Sequence, residues 1–227
     1  MISPRIFAGA LAALATPGLL FTLAMPFFHK EKLPRGFRMP GVAIELAKDP
    51  GELQQIASEP GSKTRKKIHS GVTFDFLVIA FYWLFYMSLC AALAERPSWW
   101  AIWLAAAAAL AVTGAALFDG LENFRVFALL DLPTPAPEVP ARLADLTAAT
   151  LRKWGLLFSA LFLLAPTFIT EKPSREWVVG ALQTAAAAVG LWGVWKKSPA
   201  IEWGFALLVL GIIAVAVVWF PKASGRS

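Results

Sequence analysis

Six long apolar runs, at residues 6–28, 72–94, 98–119, 150–170, 176–195 and 200–220, set the rhythm of this chain. Each matches the roughly 17–25 residues that an α-helix needs to cross a bilayer. No segment of about ten residues alternates between apolar and polar positions, so the pattern argues against a membrane barrel. Helices are then the remaining way to satisfy every backbone hydrogen bond inside lipid. The expectation is an all-α polytopic membrane bundle of about six transmembrane helices, a single integral membrane domain over 1–227. Little chain is left over for a separate soluble domain. The first run ends in MPFFHK rather than in a small-x-small cleavage site, and is read as a retained helix. The breaks ERPS and EKPSRE are so short that the helices they join must be antiparallel neighbours.

The longer breaks carry their own patterns. In DPGELQQIAS, Asp49 has the place of an N-cap, Pro50 that of the first helical residue and Glu52 that of the reciprocal capping acid, with Leu53, Ile56 and Ala57 on one face. A short amphipathic helix is predicted there, on the membrane surface or under the bundle. GVAIELA before it, with the lone acid Glu45, is read as helix. LPTPAPEVP, residues 132–140, has the proline spacing of an extended linker. A further helix is expected to start near Ala141 and to continue into the fourth span.

Composition agrees with the pattern. Of the 227 residues 58% are hydrophobic and 16% charged, against about 25% charged in soluble domains. Lysine and arginine orient the spans, because they concentrate in cytoplasmic loops. Fifteen of the 21 fall on the side of loop 29–71 and six on the other. That loop is therefore expected in the cytoplasm, with both termini extracytoplasmic, in a bacterial inner membrane or equivalent cell membrane. The net charge of +6 follows from this threading and from attraction to anionic lipid headgroups, with KTRKK at 63–67 as the strongest cluster. It calls for no nucleic acid. A protein partner or a homo-oligomer is compatible with it. The tryptophans fall mainly at span ends, Trp154 at an inner end, with Trp83 as the deep exception. A single cysteine, Cys90, excludes an intramolecular disulfide and reads as a small buried hydrophobe.

Polar residues inside the spans are the candidate chemistry. In LFDGLENF, residues 117–124, helical geometry gathers Asp119, Glu122 and Asn123 within about 100° of one face. At a rise of about 1.5 Å per residue the group lies about 31 Å from the far end of its span, at the cytoplasmic edge of the hydrocarbon. Asp75 is about as far from the ERPS turn and is expected level with Asp119 across the helix pair. Tyr82 and Tyr86, the two tyrosines, continue the face of Asp75 toward the membrane centre. Two readings are weighed. In the first, the acids are solvated or paired with Lys67, Arg125, Arg152 or Lys153, and Asn123 caps its helix. In the second, they are a ligand site, because an ionisable residue in a membrane span is a functional candidate by default. His29 and His69 lie nearby in sequence, yet no HxxxH or carboxylate-x-x-His spacing occurs, so no metal and no cofactor are expected. Gln183 and Glu202 are assigned to interhelical hydrogen bonds. Small residues at Ala101, Ala105, Ala109 and Thr113, and at Gly180, Thr184 and Ala188, are read as close helix-packing positions. P-loop, dinucleotide-binding, HExxH and GxSxG motifs are absent.

Taken together, GVAIELA, SGVTFDFLVIAFYWLFYMSLC and LFDGLENF resemble a loose group of uncharacterised small bacterial multi-span membrane proteins. These share an ELA segment, a span with an early aspartate and a later tyrosine, and a D-x-x-E-N turn. The resemblance covers residues 41–125 and implies that Glu45, Asp75, Tyr82, Asp119, Glu122 and Asn123 belong together. It implies no reaction. The leading expectation is a non-enzymatic accessory or small-molecule-binding bundle with an acidic cluster at its cytoplasmic end. The alternatives are a channel or proton- or cation-coupled transporter using Asp75 and Asp119, and a membrane enzyme acting on lipid headgroups.

Overall fold

A computed structural model describes residues 3–28, 33–58, 60–133, 136–170 and 175–219, with the side chains of 19–28 left out. The described residues form α-helices and one 3₁₀ turn, and no strand occurs among them. The helices are α1 (Pro4–Phe28), α2 (Pro40–Glu45), α3 (Pro50–Ala57), α4 (Lys63–Ala94), α5 (Trp99–Leu130), α6 (Val139–Ile169), α7 (Trp177–Lys196) and α8 (Ala200–Trp219). Five of them, α4 to α8, are long and apolar enough to cross a membrane. From α4 onward each long helix packs on the next, and α1 closes the circuit by lying against both α8 and α4.

Helix length is where hydropathy and structure part. α7 and α8, of 20 residues, measure about 30 Å, the thickness of the hydrocarbon layer. α4 and α5 have 32 residues and α6 has 31, or about 46–48 Å each. The excess lies at one end of the molecule in all three. Ser62 caps α4 by accepting the Arg65 amide at 3.2 Å, so KTRKK is helical rather than a loop. The third apolar run ends at residue 119, with Asn123 weighed as the helix cap, but α5 runs to Leu130, because nothing in GLENFRVFALL breaks a helix before Pro133. Its C-terminus is held by Arg65, whose Nη1 donates to the carbonyls of Leu130 at 2.6 Å and Leu132 at 2.9 Å. The linker 132–140 is shorter than its prolines suggest. Val139 and Pro140 already form the first turn of α6, where proline's missing N–H costs nothing.

At this same end, residues 33–58 fold under the bundle. Asp49 Oδ1 accepts the Glu52 amide at 2.9 Å, and Glu52 Oε2 in turn accepts the Lys48 amide at 3.0 Å. That reciprocal cap starts α3, which buries Leu53, Ile56 and Ala57. α2 buries Val42, Ala43 and Ile44 and touches α5 and α6. Glu202, at the start of α8, anchors the approach to α2 by accepting the amides of Met39 at 2.8 Å and Arg38 at 3.1 Å.

The tightest packing is between α6, α7 and α8. A Cβ added at Gly204 would come within 2.6 Å of the Gly190 Cα, and one at Gly190 within 2.4 Å of the Phe158 ring. Gly180 likewise faces the Ala165 carbonyl. Of the expected stripe Gly180, Thr184 and Ala188, only Gly180 makes such a contact; Thr184 and Ala188 are exposed, and the close face runs through Gly190 and Gly193 instead. In α5, Ala101 and Ala105 are buried as the spacing suggested. Thr113 accepts the indole N–H of Trp83 at 3.1 Å, which gives the one deep tryptophan its partner.

Candidate functional site

The centre of the polar core is Lys153, on the inward face of α6 and 5% exposed. Its Nζ lies 2.5 Å from Glu122 Oε1, 3.2 Å from Asp119 Oδ1 and 3.4 Å from Glu45 Oε1. The contact with Glu122 is a hydrogen bond. Asp119 Oδ1 is within ion-pair distance but lacks the angle for a hydrogen bond. α5 supplies both Asp119 and Glu122, three residues apart and so on one helix face. α2 supplies Glu45 from its last residue, which brings the 33–58 segment onto the bundle core. Trp154, the next residue of α6, donates its indole N–H to Glu45 Oε2 at 3.2 Å, and its ring lies 4.8 Å from the Lys153 ammonium. Thr147, about two turns earlier on α6, donates to the Glu45 backbone carbonyl at 3.2 Å.

α4 extends the group toward the middle of the bundle. Tyr82 donates its hydroxyl to Asp119 Oδ2 at 3.1 Å. Asn123 donates to Asp75 Oδ2 at 3.0 Å. The two antiparallel helices thus meet in a register where Tyr82 faces Asp119 and Asp75 faces Asn123, so Asp75 sits about one turn beyond the level first assigned to it.

Several expectations need correction here. The acids are not solvated at a helix end: Asp119, Glu122 and Asn123 are all buried, with α5 continuing past them. Asn123 is not a cap, since it lies seven residues inside the helix and bonds across to α4. Of the four basic candidates only Lys153 reaches the cluster. Arg125 instead donates to the Asp145 carbonyl at 2.6 Å, Arg152 lies over the Phe118 ring at 5.5 Å, and Lys67 is exposed. Tyr86 does not prolong the polar stripe; it is buried against the Phe85 ring, with centroids 5.0 Å apart. His69 packs on Phe127 at 4.5 Å, and His29 lies outside the described residues. Among the described residues no three His, Cys, Asp or Glu side chains form a group able to hold a metal ion. Gln183 is buried in α7 with its Oε1 unpartnered.

A second buried ionic group stands at the opposite end. Arg96, from the α4–α5 turn, bonds Glu176, the residue before α7, and the Thr167 carbonyl of α6. Trp219, at the end of α8, donates to Glu176 Oε1 at 3.0 Å. Arg96 also lies over the Phe168 ring at 5.5 Å. Sequence reasoning assigned both short turns to one side of the membrane but did not pair their charges. Between the two groups the core is mainly apolar, with the Trp83–Thr113 bond and the buried Gln183 as polar exceptions. Ala105, Ala108, Val112 and Ala115 of α5, Leu161 and Leu164 of α6 and Leu89 and Leu93 of α4 belong to one buried cluster, and Ala101 of α5 is buried too. From Ala101 to Asp119 this layer is about 27 Å deep.

No protein-family model matches the chain, and no curated protein or solved structure matches it either.

Proposed function

We propose that the chain is a non-enzymatic membrane-embedded binding protein of accessory type, in which residues 33–58 form a cover whose seating reports the state of the Lys153 cluster. In this reading α1 is a sixth span, both termini are extracytoplasmic and the segment 29–71 is cytoplasmic, in keeping with the fifteen-to-six division of basic residues. α3 is then the short amphipathic helix of the cytoplasmic side. Membership of the multi-span group whose ELA segment and D-x-x-E-N turn it resembles fits the same picture, because Glu45 and Glu122 meet on one ammonium.

The observation that carries the proposal is that Lys153 joins a carboxylate of the cover to two carboxylates of the bundle within 3.4 Å. A group so built couples the cover to the core. A lipid-headgroup enzyme would instead need acids open to the lipid surface, whereas Asp119 and Glu122 are buried. Transport through Asp75 and Asp119 draws support from the Tyr82–Asp119 bond, which carries polarity inward. The apolar layer beyond it favours binding over a through-going path.

The test uses a Cys90→Ala background with Ala57→Cys as reporter, since Ala57 is fully buried beneath the bundle. Its thiol should be protected from a soluble maleimide. Adding Lys153→Met should raise the labelling rate by at least about tenfold, because the cover loses its ionic anchor with about 1.4 kcal/mol or more of closing free energy. Unchanged labelling in a folded Lys153→Met protein would remove the coupling on which this reading rests.

A further inference from the structure

The Lys153 cluster contains more acid than its lysine can balance. Glu45 from α2 and Asp119 and Glu122 from α5 stand on one ammonium from α6, with Asp75 of α4 behind them on Asn123 and the neutral Tyr82 hydroxyl and Trp154 indole as further donors. Glu202 of α8, which anchors the cover, is already occupied by the backbone amides of Arg38 and Met39. Arg38 itself lies over the Trp203 ring at 5.1 Å. Asp119 and Glu122 are buried and Glu45 and Asp75 half-buried, and an excess of negative charge so placed is costly unless each carboxylate is paired or hydrogen-bonded.

The shortfall shows at particular atoms. Glu122 is 1% exposed, and while its Oε1 takes the lysine, its Oε2 is buried with no hydrogen-bond partner. Asp119 Oδ1 has only its ion pair with the ammonium at 3.2 Å and no hydrogen bond. One turn before Lys153 on α6, the Thr150 hydroxyl is wholly buried and also unpartnered. Buried polar atoms in native proteins are nearly always satisfied, so oxygens left open beside an uncompensated charge mark the place of an occupant. The occupant has to be positive and small. A multivalent metal does not fit, because no three acidic, histidine or cysteine side chains among the described residues are arranged to hold one and the ammonium already holds the centre.

We infer that the cluster takes a second monovalent positive charge beside Lys153, a proton or an alkali cation, with Glu122 Oε2 as its principal acceptor. The inference rests on the binding-protein reading above and names its ligand class. Occupancy removes one negative charge from the group that holds α2, so the cover is tightest when the site is filled.

The experiment uses full-length protein in nanodiscs of zwitterionic lipid, followed by melting temperature and by labelling of the Ala57→Cys reporter. One arm lowers the pH from about 9 to about 5 in choline buffer; the other adds Na⁺ or K⁺ in place of choline at the high-pH end. Since the ligand binds the folded chain, one arm should raise the melting temperature by about 5–10 °C at about 100 times the dissociation constant. Labelling should slow in parallel. In the Glu122→Gln variant, whose carboxamide is neutral and of the same shape, the responsive arm should become flat while labelling stays at the slow, filled-site rate. The arm that responds identifies the ligand. A wild type flat in both arms, or a Glu122→Gln variant that responds as the wild type does, overturns the inference. Should Glu122→Gln fail to fold, infrared difference spectra of the wild type supply the second readout. A carboxylic-acid band gained on acidification supports the proton, and carboxylate bands shifted by the cation support the ion; no change in either overturns the proposal. The two proposals fail separately. A cover released by Lys153→Met in a protein indifferent to protons and cations refutes only the second charge, whereas an ion response with labelling unmoved by Lys153→Met refutes only the coupling.

Discussion

At one end of the bundle Arg96 and Glu176 meet as one base and one acid, tied further to the Thr167 carbonyl and the Trp219 indole. At the other end Lys153 meets Glu45, Asp119 and Glu122, with Asp75 close behind. Both groups are buried, and both join elements distant in the chain. They differ in balance. The first pair has each charge compensated and joins turns with a helix end, which is what a structural clamp requires. The second has acids in excess and unpartnered oxygens, and one of its members sits on a short helix of the cover. Burial alone therefore does not mark a candidate functional group. Burial together with imbalance does.

Three substitutions sharpen this contrast. The largest effect should follow from Lys153→Met, which leaves several buried acids without their base; breaking a buried ion pair from one side costs about 3–5 kcal/mol. Chemical denaturation should show this loss as a lower midpoint, and the loss should shrink as the pH falls, because protonation relieves acids that have lost their base. Next comes Arg96→Met, which strands Glu176. Its cost on the same scale is about 3 kcal/mol, and the double variant Arg96→Met/Glu176→Met should recover most of it, since an apolar pair replaces a balanced ionic one. If the double variant is no better than the single, the outer pair is more than a clamp and the comparison breaks. Smallest is Tyr82→Phe, which removes one hydrogen bond to Asp119 at a cost of about 1 kcal/mol. A loss many times larger would mean that Tyr82 belongs to the core of the cluster rather than to its edge.

Much of the fold was legible in the sequence because hydrophobic length is a direct physical signal. The five spans from α4 to α8, the short turns and the capped start of α3 at Asp49 were all read from local pattern. The helix ends were not. Hydropathy reports where lipid-compatible residues stop, whereas a helix stops at a cap or a proline, so α4 and α5 extend well beyond their apolar runs. In the site, counting residues back to one turn placed Asp75 level with Asp119, about one turn short of Asn123, the residue it faces. The choice of Lys153 over Arg152 did not follow from counting, because it depends on which face of α6 turns inward. Leu146, Thr150, Lys153 and Leu157 lie on that face at helical spacing, and this periodicity was the available signal. Glu45 was grouped with the acids by resemblance alone. The pairing of Arg96 with Glu176 spans 80 positions, and nothing local announces it.

The crossing of Gly190 and Gly204 has a bearing on motion. Screwing α8 past α7 by one residue, a rise of about 1.5 Å with a turn of about 100°, would bring Trp203 or Phe205 to a point where not even a methyl group fits. The same contact seats the Phe158 ring of α6 against both glycines. These three helices are riveted at one point and have no freedom to slide there. Any stroke of this molecule is left to the elements that the rivet does not pass through.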